Sequence, residues 1–301
     1  MAVCACVCVA GMAGAAVTEN AVWYQITHGA HPEHDHVNLQ ATVVFDTYTG
    51  DDGKNYLTVQ LINSSTTPSS TGYDVLMGVY FGLRDNPNLQ PVSATLAVGD
   101  ERLAELLNMP LLAEDSKLVN ADGTTVGTPG MNISDKWLFL YDLQSTSLTN
   151  FPNTPWPYYG IVAIAQEGNL KDHVMDFNRN RNHGVKKDLS YGVVNAGTDP
   201  AIGLKGPGSS SIKDPLLYGS MIFTFLLPDD YVLDLTTDIY KESGDSSVWF
   251  QYSHAVNHDE QHPTLQGDDK GLVIVPDLKT PEPATLSLLA LSGLALLRRR
   301  K

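Results

Sequence analysis

Residues Val37–Phe45 read VNLQATVVF, residues Tyr56–Ile62 read YLTVQLI, and between them stands Asp46-Thr-Tyr-Thr-Gly-Asp-Asp-Gly-Lys-Asn. Both runs alternate apolar with polar residues at a period of two, the side-chain period of a strand with one buried face. The linker centres on Asp52-Gly53, a pair that accepts the positive φ of a tight hairpin turn. An antiparallel hairpin is therefore expected here.

The same pattern recurs along the chain. Leu76–Leu83 (LMGVYFGL) follows a Ser/Thr-rich loop at Asn63–Tyr73, and further strands are expected at Ser93–Val98, Trp137–Tyr141 and Tyr159–Ala165. Gly219–Leu226 (GSMIFTFL) and Ser247–Tyr252 (SVWFQY) read as a paired edge of the sheet joined through Leu227-Pro228-Asp229-Asp230. Only Gly99–Leu112 has helical character, with Asp100 as N-cap and Pro110 as its end. Short strands separated by Gly, Pro, Asn and Asp predict an all-β fold. The expected form is an antiparallel β-sandwich, jelly-roll-like or Ig-like, with one short helix, over residues 17–275.

The chain ends differently. Pro281-Glu282-Pro283 is rigid and extended, because two of its three residues have a fixed φ and no amide donor. Ala284–Leu297 is apolar and uncharged, and Arg298-Arg299-Arg300-Lys301 closes the chain. As a helix the apolar run is about 21 Å long, short of the roughly 20 residues of a comfortable membrane span. It suits a transient anchor helix, with the four cations holding its end on the cytoplasmic side. Residues 276–301 are thus a linker and a sorting tail.

This three-part end resembles the PEP-CTERM sorting domain of Gram-negative bacteria. The resemblance implies delivery to an exosortase, a membrane cysteine protease, and release to the envelope surface or an extracellular polymer matrix. Its implied processing residues are Pro281, Glu282, Pro283, Arg298, Arg299, Arg300 and Lys301. The resemblance continues more loosely into the body. Phe250-Gln251-Tyr252 is similar to a motif ending Phe-Gln-Tyr-Gly-Thr in β-rich PEP-CTERM passengers, but Ser253-His254 replaces Gly-Thr.

The other end also reads as export through the Sec machinery. Met1–Ala16 is apolar, small and uncharged, and Ala13-Gly14-Ala15 offers a cleavage site for a signal peptide at residues 1–16. No Lys or Arg precedes the apolar run, so the expectation is a truncated start or an internal codon of a longer signal peptide. Cys4, Cys6 and Cys8 all lie in this segment. A mature chain without cysteine has no disulfide and no thiol nucleophile, so its core must hold by burial.

The formal net charge is −15, and removing the four tail cations takes it to −19. A surface this acidic repels phosphate, so nucleic acid is not an expected partner. The charge keeps an exposed protein soluble.

No catalytic signature stands out. There is no G-x-S-x-G, P-loop or G-x-G-x-x-G. His258 and His262 have the spacing of a zincin pair, but Glu260 takes the third position and would leave the face that holds both histidines. His254 extends this four-residue spacing ahead of Pro263, in a loop-like stretch.

Three binding patterns merit attention. His28, His31, His34 and His36 place four imidazoles in nine residues, a ligand chemistry suited to zinc, copper or nickel. The expectation is a polar loop before the first strand, with adventitious zinc binding at most. Asp46, Asp51 and Asp52, with Asn55, supply hard oxygens for calcium, but their order does not match an EF-hand loop. Trp156, Tyr158 and Tyr159 concentrate aromatics that either stack on sugars or close the end of the core. No cofactor is expected beyond adventitious zinc or calcium.

Three function classes follow. The first is a non-catalytic structural or adhesive protein of the envelope or of a biofilm matrix, with exosortase and exopolysaccharide as partners and only transient contact with the inner membrane. The second is a carbohydrate- or metal-binding β-sandwich module. The third is an unrecognised hydrolase. The reading favoured is the first, and not an enzyme.

Overall fold

The computed structural model describes residues 21–31, 34–65, 75–141, 158–163, 174–176, 191–195, 197–198, 215–239, 248–252, 264–266 and 269–273. Its strands, in chain order, are β1 (Ala21–His31), β2 (His34–Thr49), β3 (Asn55–Asn63), β4 (Leu76–Phe81), β5 (Gln90–Leu96), β6 (Lys117–Val119), β7 (Thr125–Gly127) and β8 (Trp137–Leu140). They continue as β9 (Tyr159–Ala163), β10 (Val174–Asp176), β11 (Val193–Val194), β12 (Leu216–Tyr218), β13 (Ser220–Leu226), β14 (Trp249–Tyr252), β15 (Thr264–Gln266) and β16 (Asp269–Val273). The fold is all-β.

The hairpin read first from sequence is present as β2–β3, in register from Ala41↔Asn63 to Thr49↔Asn55. Its turn carries Gly53 at φ 74°, which explains the glycine there. In β2, Ala41, Val43 and Phe45 face the main core, while Val44 packs with Ile62 on the opposite face. One hairpin thus supplies two layers.

Two sheets result. The first has strand order β16-β1-β2-β3-β13-β5. In the second, β10-β8-β9 lead to β4, which pairs with β14 and, at Leu76, also with β11; β11 then leads to β12-β6-β7. Phe45, Phe223 and Phe225 of the first sheet share one core with Phe81, Trp137, Phe139 and Tyr159 of the second. Every residue of β4 is buried, as expected of a strand with neighbours on both edges and both faces covered.

The opposite face of the first sheet is covered by α1 (Glu101–Leu106) and the following 3-10 turn at Pro110–Ala113. Leu103, Ala104 and Leu112 pack there on Ala21, Val44 and Ile62. Asp100 caps α1 as its sequence predicts, with the Leu103 amide donating to Oδ1 at 2.9 Å. A second helix, α2, is the four residues Leu235–Asp238.

Several expectations need correction. The pairing is not wholly antiparallel, because β11 runs parallel to β12. The segments at Gly219–Leu226 and Ser247–Tyr252 are not a pair. β13 lies between β3 and β5 in the first sheet, whereas β14 joins β4 and β15 in the second. Phe223 and Phe225 of β13 and Phe250 of β14 contribute to the shared core from different sheets. Finally, the histidines at 28–36 stand in β1 and β2 rather than in a loop before the first strand.

Candidate functional site

Three places carry the chemistry that the sequence brings forward. At the tip of β2–β3 the carboxylates separate. Asp46 is buried within β2, where its Oδ1 accepts from the Thr47 amide at 2.7 Å. Asp51 and Asp52 sit in the exposed turn. Asp52 accepts from the Lys54 amide at 3.1 Å and from the Tyr56 hydroxyl at 2.8 Å, and these two bonds hold its carboxyl below the usual carboxylate range. Asn55 accepts from the Thr49 hydroxyl at 2.9 Å. The proposed calcium set is therefore divided between a strand and a turn, and Asp52 already holds the turn closed. Among the described residues no group of three or more His, Cys, Asp or Glu converges on a metal position.

Of the two readings of the aromatic segment, Tyr159 follows the one that closes the core. Tyr159 is in β9, 1% exposed, and stacks on Phe139 at 5.6 Å while its hydroxyl donates to the Pro87 carbonyl. A ring in the core cannot present a face to a sugar. Tyr158 is half-buried and meets Tyr159 edge-on at 4.8 Å. Trp156 lies outside the described residues.

The histidines fall on the β1–β2 hairpin. His31 pairs with His34 as the last register pair before Pro32-Glu33, with Ala30↔Asn38 and Gly29↔Leu39 behind them. His28 and His36 lie at the two register irregularities of this hairpin. His254, His258 and His262 are outside the described residues.

Sequence reading missed one charged constellation. Arg84 Nη1 lies 3.2 Å from Asp238 Oδ1, and the Arg84 amide donates to the Asp238 carbonyl at 2.6 Å. The second carboxylate oxygen of Asp238 accepts from the Asp234 amide at 2.8 Å, bracing the start of α2. Tyr231 donates to the Arg84 carbonyl at 2.9 Å. Its hydroxyl is pushed up to about 12 by burial first, then by the Asp238 and Asp85 carboxylates. Asp85 and Asn86 both have positive φ, 61° and 43°, immediately before Pro87. Asp-Asn-Pro is a turn signal, and it could have located the corner though not its partners.

Buried polar groups elsewhere tie strands together. Tyr80 donates to Gln251 between β4 and β14, and burial raises its hydroxyl strongly. Asn63 donates to the Val193 carbonyl at 3.0 Å, linking β3 of the first sheet to β11 of the second.

The comparisons with known proteins then bear on the tail. The family model of the PEP-CTERM protein-sorting motif matches residues 279–301. The chain carries a PEP-CTERM sorting motif. Pro281, Glu282, Pro283 and the cations Arg298–Lys301 all fall within the match. A PEP-CTERM tail marks an exported protein recognised by an exosortase in Gram-negative bacteria. The segment expected to be a signal peptide, the Pro-Glu-Pro triplet, the segment 284–297 expected to form an anchor helix, and the basic end lie outside the described residues. Among the described residues no helix is long and apolar enough to cross a membrane. Neither a curated protein nor a solved structure matches the chain.

Proposed function

We propose that the chain is an exported, non-catalytic structural or adhesive protein, cut near Pro281-Glu282-Pro283 by an exosortase and delivered to the cell surface or extracellular matrix. The observation that carries this reading is the PEP-CTERM motif at residues 279–301. We read the two facing sheets as one β-sandwich passenger over residues 17–275. Its acidic charge fits an exposed, soluble surface, and a mature chain free of cysteine does not depend on oxidative folding. The polar groups named inside the body support the reading too. Gln251, Asn63 and Asp238 each bond to another strand or loop and so serve the architecture.

The pathway has a definite order. The apolar segment Ala284–Leu297 pauses in the inner membrane while Arg298–Lys301 resists translocation. Pro281 and Pro283 keep the upstream chain out of the helix and open to a protease. Mass spectrometry of surface-associated protein from an exosortase-bearing host tests this. The expected C-terminal peptides end near the triplet, whereas released material still containing Leu286–Leu297 would refute the reading.

A further inference from the structure

The backbone ladder between β1 and β16 runs from Ala21↔Val273 to Gln25↔Asp269, so the first and last strands described close one edge of the first sheet. Among the described residues β16 has no other ladder partner. The sorting motif begins at residue 279, six residues beyond Val273, and Pro281 follows eight residues beyond it. Eight extended residues span at most roughly 26–29 Å. The folded body thus ends a short chain length from the segment to be cut.

Resting on the exosortase reading above, we propose that the protease receives this chain already folded, with β16 paired to β1, and that residues 274–280 supply the reach that lets it cut without opening the ladder. At roughly 3.3–3.6 Å per residue these seven residues give about 23–25 Å of chain. The triplet can be drawn into a cleft in extended form without borrowing from β16. Undocking would break five rungs and leave the outer edge of β1 with backbone N–H and C=O groups unpaired, a template for another chain. Cutting the docked form avoids both costs. β16 is also the last of the strands in chain order, so its pairing with β1 waits until the whole body has been exported. The pause of the tail in the membrane gives that last rung time to form, and what is released is a body with its edge sealed.

The test uses the full chain in an exosortase-bearing host. All three cysteines lie in Met1–Ala16, so a pair placed by Ala21→Cys and Val273→Cys is the only one in the mature body. Opposed residues of an antiparallel pair have Cα atoms about 4.5 or 5.5 Å apart, inside the range of about 4.4–6.8 Å that a disulfide takes. Thiols are blocked at intervals after a pulse label, and precursor and product are separated on a non-reducing gel. The expected result is a disulfide already present in the membrane-held precursor, which is then cut at the wild-type rate. A disulfide found only in released protein, or a linked precursor that accumulates uncut, would overturn the proposal. Gln25→Cys with Asp269→Cys repeats the measurement at the other end of the ladder, should the first pair disturb folding. Ala21→Cys with Asp269→Cys is four residues out of register and should stay unlinked; equal linkage there would show that the ladder is not set before the cut. Deleting residues 274–278 leaves the matched motif whole but only roughly 10 Å of chain between Val273 and Pro281. In the linked Ala21–Val273 chain this deletion should stop cleavage, and normal cleavage would refute the role given to the reach. A wild-type chain that is never cut overturns the exosortase reading as well, whereas failure of the linked chain alone overturns only this inference.

Discussion

Trp137 of β8 meets Phe223 of β13 edge to face, ring centroids 5.0 Å apart, and the contact joins the two sheets. Phe139 and Phe225 repeat it one step along at 4.7 Å, and Phe45 and Phe81 again at 5.2 Å. Aromatic pairs in such geometry add about 0.5–1.5 kcal/mol each beyond the area they bury.

Phe223→Ala should therefore destabilise the protein by about 3–5 kcal/mol, the usual cost of emptying a buried aromatic site. Urea denaturation followed by tryptophan fluorescence measures it. A loss under about 1 kcal/mol would mean that the sheets are not held together at this row.

The Arg84–Asp238 pair should prove unequal. The Arg84 side chain is 56% exposed, so Arg84→Ala should cost below about 1 kcal/mol. The Asp238 carboxylate also accepts the Asp234 amide, so Asp238→Ala should cost about 1–2 kcal/mol, on the scale of a lost helix cap. Thermal unfolding of the two variants side by side gives the comparison, and equal losses would contradict it.

Stability should fall in alkali. Tyr80, Tyr159 and Tyr231 all have hydroxyls raised above their ordinary value of 10.0, each chiefly by burial. A group whose pKa is higher in the folded state contributes fully below its unfolded value and loses that contribution as pH rises through the folded one. Between pH 10 and about 12 the folded chain holds Tyr231 protons that the unfolded chain releases. The urea midpoint should be flat from neutral pH to about 9 and then drop. Tyr231→Phe should flatten the first part of the drop.

In the tail, replacing Arg298, Arg299, Arg300 and Lys301 with neutral residues should weaken membrane retention before cleavage. Changing Pro281 and Pro283 to Ala should let the apolar helix extend upstream and leave the protein anchored. Fractionation of envelope and medium distinguishes the two defects. Normal release of the double proline variant would show that the triplet's backbone rigidity is not what the protease needs.

Much of the fold was legible where one face of a strand is apolar and the turn is chemical. β2–β3, β4, β8, β9 and β13 fall where the alternation places them, and Asp100 announces α1. β1 was missed, since Ala21–His31 mixes apolar and polar residues without a clean period and its pairing with β2 and β16 is a tertiary matter. The parallel β11–β12 pair was missed for the same reason: two and three residues are too short for any period. Of the site residues, the tail was legible because each of its parts has its own composition. For Tyr159 the sequence left two readings open, because a ring's burial depends on the strand opposite, which sequence does not show. The same holds for His31 and His34, whose opposition exists only once the hairpin register is set.

Ala21 pairs with Val273, so the first and last strands described lie side by side at one edge of the first sheet. Tension on the C-terminal tail enters the body through β16, whose ladder partner among the described residues is β1. It pulls first on the pair Ala21↔Val273 and then on Val22↔Leu272, one rung at a time. A protein tugged while still tethered would peel open like a zipper from this corner, leaving the aromatic row between the sheets for last.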